Sequence, residues 1–213
     1  MMRPAVLSLM MSLSMPAEII DRTVATVGSQ VVTRSDVIQH LRVQAFLDGA
    51  PLDLSPARQR QAVNRLVEQA LIRREVELSF YPPPDMADVD ALVEKLRKPR
   101  MESDAAFDRE LRKYGITDEQ LHQALQWQLT LLRFIEYRFR PGVQVSDADE
   151  RAYYDRDFVQ AARKQGGPVP AFEDVRDQIE KILVDRKVDE ALDRWLEQAR
   201  TQAPIHIHEE DFQ

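Results

Sequence analysis

Over residues 117–140 apolar positions recur at threes and fours, the longest uninterrupted helical pattern in the chain. Leu121, Leu125, Leu132, Ile135 and Phe139 form one row. Trp127, Leu131, Phe134 and Tyr137 form a second, displaced around the axis. Two rows require neighbours on two sides. Thr117 stands at capping-box spacing from Gln120, Gly115 suits the stop of a preceding helix, and Pro141-Gly142 closes the segment. At 1.5 Å per residue this helix is about 36 Å long, a spine for a bundle. Helices over 55–80 and 172–203 are expected to cover the Leu121/Leu125/Leu132 row. The weaker helices between 85 and 114 are expected to cover the Trp127/Phe134 row.

Elsewhere the pattern alternates between period two and period 3.6. Two β-branched runs, 22–28 and 30–33, are joined at Gly28-Ser29 and predict a hairpin. Thr33 and Asp36 then have capping-box spacing, and Val37, Leu41, Ala45 and Leu47 carry a stripe to Gly49. Ser55-Pro56 opens a second helix that runs into Tyr81 and three prolines. Shorter helices follow over 85–97 and from Ser103 to the Gly115 stop, and another from the Ser146 cap. A last long helix spans 172–203, and Ile205 to His208 alternate as a strand expected to pair with the hairpin. The fold class is therefore mainly α: a helical bundle around the 117–140 helix, with a small antiparallel sheet uniting hairpin and C-terminal strand.

Composition narrows the function. A net charge of −7, with both signs interspersed, argues against a nucleic-acid partner. The absence of cysteine excludes disulfides, thiolate zinc sites and a cysteine nucleophile. The apolar run over 5–13 after Arg3 predicts a signal peptide over 1–17 and an exported, periplasmic protein. That run is too short to span a bilayer, and no stable membrane insertion is expected. Residues 18–213 then form one domain, with a short linker over 159–171.

No cofactor, metal or catalytic residue is expected. His206 and His208 share a strand face beside Glu209, but His40 and His122 sit on separate helices without ligand spacing. The chain has neither a nucleophile elbow nor a phosphate-binding glycine loop. Acidic pairs such as Asp147/Asp149 and Glu173/Asp174 fall in first turns, where the helix dipole favours them. The surplus is aromatic and apolar: Phe80, Tyr81, Met86, Met101, Phe107, Trp127, Phe134 and Tyr137 either complete the core or line a groove.

Residues 21–37, Asp-Arg-Thr-Val-Ala-Thr-Val-Gly-Ser-Gln-Val-Val-Thr-Arg-Ser-Asp-Val, resemble the opening of the SurA family of periplasmic chaperones and peptidyl-prolyl isomerases. Residues 65–75 resemble that family's second helix, and Tyr-Gly-Ile-Thr-Asp-Glu-Gln-Leu over 114–121 the start of its long helix. Residues 172–183 and the Ile205 strand are similar to the segment that returns to the chaperone domain. Together these cover nearly all of 21–208. The family's isomerases carry a parvulin domain between the positions of Tyr154 and Phe172, an interval too short here for a domain. The resemblance thus implies an ATP-independent chaperone that binds unfolded or outer-membrane polypeptides in an apolar groove, without isomerase activity. The candidate peptide-binding residues are Phe80, Tyr81, Met86, Phe107, Trp127, Leu131, Phe134 and Tyr137. Cryptic isomerase activity and a dedicated adaptor for one partner are the alternatives; oligomeric state and client identity are not readable from the pattern.

Overall fold

The computed structural model describes residues 21–79, 81–97, 103–164, 166 and 168–208. The expected signal segment, Phe80 and Met101 lie outside them. Strands β1 (Thr23–Val27) and β2 (Gln30–Thr33) form the hairpin, turning at Gly28, whose φ of +58° is cheap only for glycine. β2 runs straight into α1 (Arg34–Asp48). There the capping box closes in both directions, with Asp36 N donating to Thr33 Oγ1 and Thr33 N donating to Asp36 Oδ2. The strand β3 (Ile205–Ile207) adds to the other side of β1, giving the antiparallel order β2-β1-β3. Hairpin and C-terminal strand thus pair as the pattern predicts.

Between the strands lie α2 (Pro56–Leu78), α3 (Met86–Arg97), α4 (Asp104–Tyr114), α5 (Asp118–Arg138), α6 (Asp147–Tyr153), α7 (Val159–Lys164) and α8 (Phe172–Gln202). A π-helical turn, Tyr154–Phe158, joins α6 to α7, so the linker begins after Lys164 and not at 159. α8, with 31 residues, exceeds α5, with 21. Among the described residues no helix is long and apolar enough to cross a membrane.

The core has three parts. The first seals the inner face of the sheet, where Val24, Val27 and Val32 meet Val37 of α1, Val63 and Val67 of α2, and Leu196 and Ala199 of α8. The second fills the space between α1, α3, α4 and α5. A third, smaller one packs Val175, Ile179 and Leu183 of α8 against Tyr153, Tyr154 and Phe158. α8 therefore ties the sheet end to the α6 end, helped by Arg200 to Glu68 at 2.8 Å and Arg140 to Asp185 at 2.9 Å.

The two rows of α5 find neighbours largely opposite to those expected, although Phe139 of the first row does meet Trp195 of α8 at 6.2 Å. Leu121 and Leu125 bury against Val43 and Phe46 of α1, Val89 and Val93 of α3, and Phe107 and Leu111 of α4. Leu132 of the same row is 52% exposed. The second row turns to α2 and α8: Arg73 lies over the Trp127 ring at 4.0 Å, and Phe134 meets Trp195 with centroids 5.6 Å apart. The cause is local. α4 stops at Gly115 in the left-handed region, and Arg42 Nη1 donates to the Gly115 carbonyl at 3.2 Å, so the following helix is laid on α1 by its first row.

Candidate groove

The eight candidate residues fall into separate places. Phe107 is fully buried, edge-on to Phe46 at 5.9 Å and under the Arg97 guanidinium at 4.8 Å. Phe134 is 1% exposed and forms the hub of an aromatic cluster, with Tyr81 at 5.6 Å, Phe139 at 5.7 Å and Trp195 at 5.6 Å. Tyr137, largely exposed, touches that cluster through Tyr81 at 6.0 Å. Met86 is half exposed at the start of α3, where its Sδ accepts from Gln126 Nε2 at 3.6 Å. Phe80 lies outside the described residues. Trp127 and Leu131 come together in one cavity.

That cavity is a groove of about 820 Å³ between α1, α2 and α5, with β2 along one side and Leu192 and Leu196 of α8 at its base. α1 contributes Val43 and Leu47, α2 contributes Leu66, Ala70 and Ile72, and α5 contributes Ala124, Trp127 and Leu131. The apolar floor is the outer margin of the two larger core parts: Ala70, Leu66 and Leu196 belong to the first, and Val43, Leu47 and Ala124 to the second. Polar groups line the walls, and seven of them are glutamines: Gln30, Gln39, Gln44, Gln69, Gln120, Gln123 and Gln128. Gln120 Nε2 donates to Gln39 Oε1 at 3.2 Å across the α1–α5 seam. Charges nearly balance, with Asp36, Asp48 and Glu68 against Arg65 and Arg73.

Two groups are electrostatically marked. Burial, and then the charge of Arg65, depress the His40 pKa below its ordinary value near 6.5, so the imidazole is neutral at pH 7. The Trp127 indole N–H is buried without a hydrogen-bond partner among the described residues, beneath the Arg73 guanidinium. A buried donor left unpaired is uncommon, and this one lies at the groove wall. A smaller cavity of about 280 Å³ opens between α2, α8 and Arg138, with Leu78 and Trp195 in its lining.

The amide walls were missed because polar positions beside an apolar stripe look solvated in one dimension. The available signal was the recurrence of glutamine beside the apolar stripes: Gln120, Gln123 and Gln128 on α5, Gln39 and Gln44 on α1. Among the described residues no group of acidic and histidine side chains is arranged to hold a metal. No known protein family matches the chain by sequence profile, and no characterised protein matches it either.

Proposed function

We propose that this is an exported, ATP-independent chaperone-like protein of the SurA type, holding unfolded or outer-membrane polypeptides and lacking isomerase activity. The observation that supports this reading is the open groove between α1, α2 and α5, whose apolar floor and amide-rich walls of nearly balanced charge suit a polypeptide. The sheet that closes hairpin on C-terminal strand is what the resemblance implies for such a domain. Between Lys164 and Phe172 the connection is drawn in by Tyr154, whose hydroxyl donates to the Pro170 carbonyl at 2.8 Å and whose ring meets Phe172. A connection this short supports the reading without an inserted catalytic domain.

If about 600 Å² of apolar surface is covered, the gross gain is about 15 kcal/mol, most of it offset by ordering the client and its side chains. Affinity in the micromolar range follows, suited to release without nucleotide. The test is suppression of aggregation by several unrelated unfolded proteins, alongside a prolyl-isomerisation assay. Protection of several clients with no acceleration of isomerisation is expected. Failure to protect any, with a single protein co-purifying, would instead define a dedicated adaptor.

A further inference from the structure

We propose that the groove takes an extended, uncharged polypeptide segment as an added strand on the open edge of β2. This rests on the polypeptide-binding reading above and assigns it a geometry.

The order β2-β1-β3 leaves β2 at one edge of the sheet. Val27 and Gln30 face each other across the two-residue turn, with Thr26 opposite Val31 and Ala25 opposite Val32. Antiparallel alternation then directs the main-chain N–H and C=O of Gln30 and Val32 toward β1 and those of Val31 outward. Among the described residues no main chain pairs with that outer side. Edge strands are ordinarily guarded by charge, proline or a bulge. β2 reads Gln-Val-Val-Thr and has none of these; the hairpin's irregularity falls between Thr23 and Ala25, on the other strand.

The groove runs along this edge. Val31 and Val32 point to opposite faces, at 54% and 6% exposure, yet both line it together with Gln30. A cavity touched from both faces of a strand lies alongside the strand. The four residues of β2 offer about 13 Å of main chain, enough to pair with about four residues of a partner. On the helical walls the amides of Gln44, Gln69 and Gln128 carry N–H donors and carbonyl acceptors, the same groups that a peptide main chain presents on its other edge. The balance of three carboxylates against two guanidiniums favours neither an acidic nor a basic segment. Recognition of this kind takes its affinity from main-chain hydrogen bonds and is indifferent to much of the side-chain sequence.

The experiment titrates the full chain with a fluorescent, acetylated and amidated peptide, Thr-Val-Gln-Val-Thr-Gln-Val-Thr, and with its counterpart N-methylated at four consecutive central residues. Val31→Pro removes the outward donor at a position where an edge strand tolerates proline, and Val31→Thr retains it. The expected result is about tenfold weaker binding for Val31→Pro and for the methylated peptide, with Val31→Thr within about twofold of the parent. Should Val31→Pro fail to fold, the methylated peptide alone decides. Equal binding of both peptides overturns strand addition and leaves groove binding standing. Binding of neither peptide, with no client protected, removes both readings. A concentration-dependent dimer that excludes the peptide assigns the edge to a second copy and overturns the proposal.

Discussion

Phe134 tests whether the second row of α5 is core or ligand surface. The residue is 1% exposed, with edge-to-face contacts to Tyr81, Phe139 and Trp195 at centroid separations of 5.6, 5.7 and 5.6 Å. Phe134→Leu retains most of the buried apolar area and forfeits three aromatic pairs worth about 0.5–1 kcal/mol each, so it should cost about 2 kcal/mol. Phe134→Ala adds the lost area and a cavity, for about 4 kcal/mol in total. With a urea slope of about 2.5 kcal/mol per M, the unfolding midpoint should fall by about 0.8 M for leucine and about 1.6 M for alanine. The assay is urea unfolding followed by far-UV circular dichroism, paired with client protection measured well below the transition. On this reasoning protection per folded molecule is unchanged. A Phe134→Ala protein within about 1 kcal/mol of the parent, yet unable to protect clients, would falsify the core assignment and return Phe134 to the ligand surface.

Two further outcomes follow from the geometry. Gly115 adopts φ +67°, and a Cβ there would stand 3.3 Å from the Arg42 guanidinium, so Gly115→Ala should lose about 1–2 kcal/mol in thermal or urea unfolding; no loss would mean that the α4–α5 corner yields readily. The hydrogen bond from Lys187, followed by those from Ser146, lowers the Asp149 carboxyl from 3.8 to about 2. Because the folded value lies below the unfolded one, this stabilisation is complete above about pH 4 and disappears as pH falls through about 2. Asp149→Asn should therefore be less stable than the parent at neutral pH and converge with it in strong acid, and parallel unfolding curves across that window would contradict the ion pair's role.

Local chemistry made much of the fold legible. The capping boxes at Thr33 and Thr117, the left-handed glycines at positions 49 and 115, and proline at the first position of α2 all stand where the pattern placed them. Each depends on residues within a turn of one another, which sequence spacing reports directly. Partnership between helices is different. Periodicity located the two rows of α5 but not what covers them, because that is set by the Gly115 corner and the Arg42 contact, a pairing 73 residues apart. Ser55 and Ser103 occupy cap positions without making the side-chain bond, and the π-helical turn over Tyr154–Phe158 leaves no mark in an apolar repeat. The groove was hidden for the same reason: its walls belong to polar faces of three helices that only the packing brings together.

The central position of β1 has a consequence for synthesis. Its partners β2 and β3 come from opposite ends of the described chain, with Val27 facing both Gln30 and Ile205. During vectorial emergence of the polypeptide, the hairpin and the first helices can form while one side of β1 still lacks its neighbour. Long-range pairing of this kind is slow relative to local helix formation, and the waiting strand is sticky in the meantime. A protein proposed to shelter unfinished chains thus passes through an unfinished state of its own, and the three residues of β3 are the latch that ends it.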